Sequence, residues 1–305
     1  MILLASPGQG AQTPGFLQPW LEIPGVADRL AWWSAVTGLD LVRYGTTADA
    51  EEIRDTAVAQ PLLVAAALAA YEALYDDGDL PGVVAGHSVG ELAAGAIAGV
   101  LSPETALVLV RERGRAMAEA ATVIKTGMTA VLGGDPDEVL ASIDKHGLTA
   151  ANVNGAGQVV AAGTVQALTA FADDPPEKAR LRSLSVAGAF HTEHMAPAVD
   201  ALRRIASGAP VAAPRTRLLQ NRDGAVVEDG PAFVERLVDQ VSAPVHWDLC
   251  METMRDLGVT AIIELPPAGT LTGLARRELP DVERVALKTP ADLDRARELI
   301  KADAA

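Results

Sequence analysis

The stretch from Val83 to Val100, VVAGHSVGELAAGAIAGV, constrains this chain more than any other. Small and β-branched residues lead into Gly86, a serine follows between two glycines, and a segment rich in alanine comes next. An apolar run without alternation is the pattern of a strand buried on both faces, as in a parallel sheet covered by helices. Similar runs appear as ILLAS (2–6) and TAIIEL (260–265), bounded by glycine, proline or charge. Long helical patterns lie between them, including TAVAQPLLVAAALAAYEALYDD (56–77) and SPETALVLVRERGRAMAEAAT (102–122). In the second of these, Ser102 and Pro103 supply an N-cap and a first-turn proline. Strand and helix in alternation predict an α/β fold with a parallel sheet and helices on both faces.

The middle of the chain has a different rhythm. Beyond Thr126 it runs TAVLGG, DPDEVLASIDKHG, LTAANVNGAGQVVAAG, TVQALTAFADD and ARLRSLSV. That is strand, helix, two strands around a glycine turn, helix and strand, the β-α-β-β-α-β order of a ferredoxin-like unit. The predicted organisation is a large α/β domain over 1–124 and 189–305, with a small ferredoxin-like α+β subdomain inserted at 125–188. No internal repeat or low-complexity tract is visible.

Composition excludes several classes. A formal net charge of −15 over 305 residues argues against nucleic-acid binding, which needs a concentrated basic surface. Local basic patches remain available at Lys178, Arg180 and Arg182, or at Arg276 and Arg277. Cys250 is the only cysteine, so no internal disulfide forms and a reducing compartment is expected. MILLASPGQG has no basic start, and its apolar run stops at Pro7, too short for a signal peptide. LLVAAALAAYEAL, interrupted by Glu72, is about half of a ~20-residue membrane span. The expectation is a cytoplasmic protein without a membrane partner.

Three features are set aside. NGAGQVVAAG precedes a strand, whereas a dinucleotide fingerprint follows one and opens a helix. His191 and His194 lack the spacing of a helical zinc pair and an evident third ligand. Cys250, within WDLCMETMRDL, reads as a packed core thiol.

The G-x-S-x-G pattern between strand and helix fits a nucleophile elbow. It puts the Ser88 Oγ at a helix N-terminus, where free N–H groups and the dipole favour negative charge. The Val89 N–H, directly after the nucleophile, is then placed to donate to an oxyanion. The plainer reading is a glycine-rich turn with a serine N-cap. A nucleophilic serine needs a base, and there are five histidines. His87 adjoins Ser88 and points elsewhere, His146 caps a helix end before Gly147, and His246 suits a packed position. Position does not separate His191 from His194, and no acidic third member can be identified.

One arginine stands apart. Ala106, Leu109, Val110, Arg113, Met117 and Ala120 share one helical stripe, on which Arg113 is the only charge. A buried guanidinium requires an anionic partner. That partner is either an internal carboxylate or one brought by a substrate and held by the planar fork.

PGQGAQTPGF, GHSVGE, RERGRAMAEA, NVNGAGQVVAAG, VAGAFHTEHMAPAV and LVDQVSAPVHWD together carry a resemblance over essentially the whole chain. The sequence resembles the malonyl-CoA:acyl-carrier-protein transacylases, most closely those of actinobacteria. The resemblance implies an α/β-hydrolase-like large domain with an inserted ferredoxin-like subdomain. It implies Ser88 as nucleophile, His191 as base and Arg113 as clamp for the malonyl carboxylate. It also implies an oxyanion hole from the backbone N–H groups of Gln9 and Val89, and a Gln240 main-chain carbonyl that orients the histidine. Phe190 matches the pattern associated with malonyl over methylmalonyl. Ala11 departs from a serine common in relatives and touches no catalytic role.

The implied reaction moves malonyl from malonyl-CoA to the phosphopantetheine thiol of acyl carrier protein through a malonyl-serine. It serves fatty-acid synthesis, polyketide synthesis or both, with CoA thioester as substrate and no bound cofactor. The alternative is a serine esterase or thioesterase on the same elbow. That reading predicts an acidic triad member and leaves Arg113 unexplained.

Overall fold

The computed structural model describes residues 1–75 and 80–304. In chain order the strands are β1 (Ile2–Ser6), β2 (Val83–Gly86), β3 (Thr126–Gly133), β4 (Thr149–Val153) and β5 (Gln158–Thr164). They continue as β6 (Ala179–Ser183), β7 (Arg217–Leu218), β8 (Val245–His246), β9 (Ala261–Glu264) and β10 (Glu283–Ala286). They form two sheets.

The first sheet has the order β10-β9-β1-β2-β7, every pair parallel. Each residue of β1, β2 and β9 is buried, which is why these strands read as unbroken apolar runs. Alternation then sorts their side chains to two faces. Leu4 and Val84 enter the main core with helices Thr56–Leu74, Gly90–Ile97 and Pro103–Ala120. Leu3, Ala5, Val83 and Ala85 pack on the other side with Trp247, Met251, Met254, Leu271 and Leu274, from helices Trp247–Asp256 and Thr270–Glu278.

Helix Thr56–Leu74 begins ahead of the apolar stretch visible in sequence. Its 19 residues are long and apolar enough to cross a membrane, yet most of its length is buried inside the protein, as in a central core helix. The expected extension through Asp76 and Asp77 lies outside the described residues. Helix Pro103–Ala120 packs between Thr56–Leu74 and Ala196–Ala206. The Ser102 Oγ accepts from the Thr105 N–H at 3.0 Å, so the expected N-cap forms.

The second sheet has the order β6-β3-β5-β4-β8. Its first four strands are antiparallel and come from the predicted β-α-β-β-α-β stretch, closed over Val131, Val139, Ile143, Leu148 and Phe171. The fifth strand does not come from that stretch. Val245 and His246 pair in parallel with Asn152 and Val153, so a late segment of the chain completes the sheet at its β4 edge.

Candidate active site

Strand β2 ends at Gly86 and helix Gly90–Ile97 starts four residues later, so the turn between them is sharp. Ser88 sits at its apex with φ of 54°, in the left-handed region that costs a side-chain-bearing residue energy. The two flanking glycines are steric requirements. A Cβ on Gly86 would lie 2.0 Å from the Gly90 carbonyl carbon, and one on Gly90 would lie 2.2 Å from the Ser6 carbonyl oxygen. The same packing brings the loop after β1 beside the elbow, where the His87 N–H donates to the Ser6 carbonyl at 3.0 Å.

Ser88 Oγ lies 2.7 Å from His191 Nε2. On its other side, His191 Nδ1 lies 2.8 Å from the main-chain carbonyl of Gln240. A carbonyl only accepts, so Nδ1 carries the proton and Nε2 is left as the acceptor for the serine hydroxyl. His191 is buried and has φ of 61°, a second left-handed residue facing the first. Burial, then the nearby Arg113 charge, lowers its pKa to about 3, so the imidazole is neutral and able to take a proton.

Arg113 reaches the same oxygen. Its Nη2 donates to Ser88 Oγ at 3.2 Å and to Gln240 Oε1 at 3.4 Å, and its Nη1 donates to Gln60 Oε1 at 2.7 Å. The residue is 1% exposed. Among the described residues it forms no ion pair within 4.0 Å, and its Nε has no partner. Burial lowers the guanidinium pKa to about 10, against the opposing field of Glu91. A buried cation held only by neutral oxygens beside Ser88 is free to donate to an anionic group.

The remaining predicted residues take these places. Val89 is buried at the start of helix Gly90–Ile97, and Gln9 follows β1 with its side chain donating to Thr56 Oγ1 at 3.2 Å. Among the described residues, neither the Gln9 nor the Val89 amide donates to another protein group. Phe190, next to His191, is buried in the main core. The structure pairs Ser88 with His191 and not with His194, whose backbone N–H caps onto Thr192.

The other histidines lie elsewhere. His87 turns from Ser88 to Asn154, with Nε2 2.8 Å from Oδ1, and its burial lowers its pKa. His146 Nδ1 meets the Ser142 carbonyl at 2.7 Å, and His246 is half-buried in β8, 3.8 Å from Asp248. Cys250 is packed in the core, and burial raises its thiol pKa. Among the described residues, no group of three or more His, Cys, Asp or Glu is placed to hold a metal ion.

Three polar residues at the site were not singled out in sequence: Gln60, Glu91 and Asn221. Gln60 and Glu91 left a trace, since each interrupts an otherwise apolar helical stretch. Asn221 left none.

An acyl transferase domain model matches residues 7–292 of the chain. A malonyl CoA-acyl carrier protein transacylase of Mycobacterium tuberculosis is 55% identical over 297 residues, 96% of this chain and 98% of that protein. The crystal structure of the Mycobacterium tuberculosis enzyme superposes with a TM-score of 0.94 at 54% identity, covering 97% and 99% of the two chains. A malonyl-transacylase solved in complex with its type II PKS acyl-carrier protein gives 0.91 at 30% identity, again over 97% and 99%. With a serine, a histidine and an unpaired arginine converging on one oxygen, and with likeness of this extent, the chain belongs to the acyl transferase family and, within it, to the malonyl CoA-acyl carrier protein transacylases.

Proposed function

We propose that this chain transfers the malonyl group from malonyl-CoA to the phosphopantetheine thiol of acyl carrier protein, through an ester on Ser88. The observation that carries this reading is the meeting of three side chains at Ser88 Oγ, with His191 at 2.7 Å and Arg113 at 3.2 Å. In the first half-reaction Arg113 grips the malonyl carboxylate and Ser88 Oγ adds to the thioester carbonyl carbon. Its proton passes to His191 Nε2. The Gln9 and Val89 amides stabilise the oxyanion, a contribution of about 2.7–4 kcal/mol per donor in comparable sites. The C–S bond then breaks and CoA leaves with the proton from the imidazolium. In the second half-reaction the carrier's thiol gives its proton to His191 and attacks the ester, and Ser88 recovers the proton as it leaves.

No step calls for a bound cofactor, because CoA arrives as part of the substrate. Phe190 narrows the space beside the acyl C2 carbon and favours malonyl over its methylated analogue. The carrier meets one of two basic groups, Lys178, Arg180 and Arg182 or Arg276 and Arg277, all exposed on an otherwise acidic protein. We take 1–124 with 189–305 as one domain and 125–188 as the other, with β8 reaching across. A lone cysteine suits a cytoplasmic setting. The esterase reading is disfavoured by one contact. His191 Nδ1 faces a main-chain carbonyl, where a hydrolytic triad has its acid.

Intact mass after brief incubation with malonyl-CoA tests the proposal. A malonyl adduct on Ser88 that persists until holo carrier protein removes it is the expected result. Rapid release of free malonate without carrier would make the protein a hydrolase, and no adduct at all would exclude acyl transfer.

A further inference from the structure

The mechanism leaves one buried ionisable side chain unused. Glu91 is the second residue of the helix that follows the elbow, and its side chain is fully buried. Its Oε1 accepts from the Asn221 backbone N–H at 2.7 Å. Its Oε2 accepts from the Gln240 side-chain amide. Both of these donor residues lead on to the catalytic atoms.

Asn221 spans the elbow. Its Oδ1 accepts from the Ser88 N–H at 2.7 Å, and its Nδ2 donates to the Gly86 carbonyl at 2.8 Å. One side-chain amide thus satisfies the backbone on both sides of the strained turn, as a neighbouring strand would. Gln240 continues the other way. Its main-chain carbonyl holds His191 Nδ1, and its Oε1 accepts from Arg113 Nη2. Its Nε2 also donates to Asn221 Oδ1 at 3.1 Å, which closes the ring of contacts.

We infer that Glu91 is a positioning residue of the transfer reaction, acting through Asn221 on Ser88 and through Gln240 on His191 and Arg113. The inference rests on the reading of Ser88, His191 and Arg113 given above. Burial raises the Glu91 carboxyl to about 8, opposed by the Asn221 amide and by Arg113, so the chain retains an acid here against a sizeable desolvation cost. A residue serving only to fill the space behind the elbow would be apolar. Glutamine is no substitute either. One of its side-chain atoms is a donor, whereas in the ionised form, reached above about pH 8, both Glu91 oxygens accept from donors. The Glu91→Gln substitution therefore forces Gln240 to turn and to point its own amide hydrogens at Arg113.

The test is single-turnover acylation of Glu91→Gln by malonyl-CoA and by acetyl-CoA above pH 8, where wild-type Glu91 is ionised, with rates normalised to folded protein. Wild type is run alongside, and its failure to acylate would refute the proposed function rather than the role of Glu91. Misaligned reacting groups cost up to about 10²-fold, so the rate constant at saturation should fall by roughly ten- to a hundred-fold for both acyl groups. The half-saturating concentration of acetyl-CoA should stay unchanged, because acetyl makes no contact with Arg113. If only malonyl transfer falls, Glu91 acts on Arg113 alone and the positioning role is overturned. If the normalised rates match wild type, its role is structural and the inference also fails. Should Glu91→Gln not fold, Asn221→Ala cuts one arm while leaving Glu91 in place. The same loss of rate with both substrates supports the arm, and full activity refutes it.

Discussion

Arg113 makes the most distinctive statement of any single residue. It is buried with no ion pair among the described residues, and two of its three nitrogens already contact neutral oxygens around Ser88. Substitution by alanine should therefore remove a partner that malonyl needs and acetyl does not. Breaking a buried charge pair costs about 3–5 kcal/mol, which lowers kcat/KM for malonyl-CoA by about two to three orders of magnitude. Acetyl-CoA should hold or gain, inverting the preference. The two specificity constants, measured beside a thermal melt, check this, and a parallel loss with a lowered Tm would contradict it. The histidine pair gives a second residue-scale prediction. His191→Ala should slow single-turnover acylation far more than His194→Ala, because only His191 contacts both Ser88 and a fixed carbonyl. The reverse order would dethrone His191. Position in the chain does not separate the two, and only the family resemblance pointed to His191, since the choice is made by Gln240, 49 residues away in the chain.

At the scale of elements, the elbow was the most legible part of the molecule and the network behind it the least. A buried parallel strand, a turn and a helix each leave a local pattern: an apolar run, paired glycines, small residues. The contact between the elbow and Asn221 bridges 133 positions and leaves no periodic trace. Strand β8 was missed for a related reason, since two residues are too few to alternate. The glycines of the elbow can be tested directly. A Cβ on Gly90 would sit 2.2 Å from the Ser6 carbonyl, against backbone rather than a flexible side chain. Gly90→Ala should therefore push β1 from the elbow, at a cost of about 1–3 kcal/mol as for other overpacked cores. A lowered Tm together with loss of the acyl-serine is the expected pair of results. Wild-type values for both would mean that the turn relaxes without cost.

For the whole molecule, the buried ionisable groups make stability depend on pH in opposite directions. His191 has a folded pKa of about 3 against 6.5 when exposed, so the unfolded chain binds a proton in that interval that the folded one refuses. Its stability cost is absent above pH 6.5 and grows as pH falls toward 3. Glu91 has a folded pKa of about 8 against 4.5, so here the folded chain keeps a proton that the unfolded one gives up. Its contribution is complete below pH 4.5 and is lost as pH rises through 8. Thermal melts across this range should show the Tm of Glu91→Gln gaining on wild type as pH rises from 4.5 to 8. A constant difference between the two proteins would mean that Glu91 does not titrate in that window.

The pairing of Val245–His246 with the edge of the smaller sheet bears on how this protein can be taken apart and recombined. A chimera made by exchanging only the contiguous segment 125–188 would match a foreign edge strand to a native partner far downstream in the chain. That partner leads directly into Trp247, which packs beneath the parallel sheet, so any mismatch passes into the second core. The heritable unit that carries the smaller sheet is therefore split in the gene, and donors are interchangeable only when both pieces travel together.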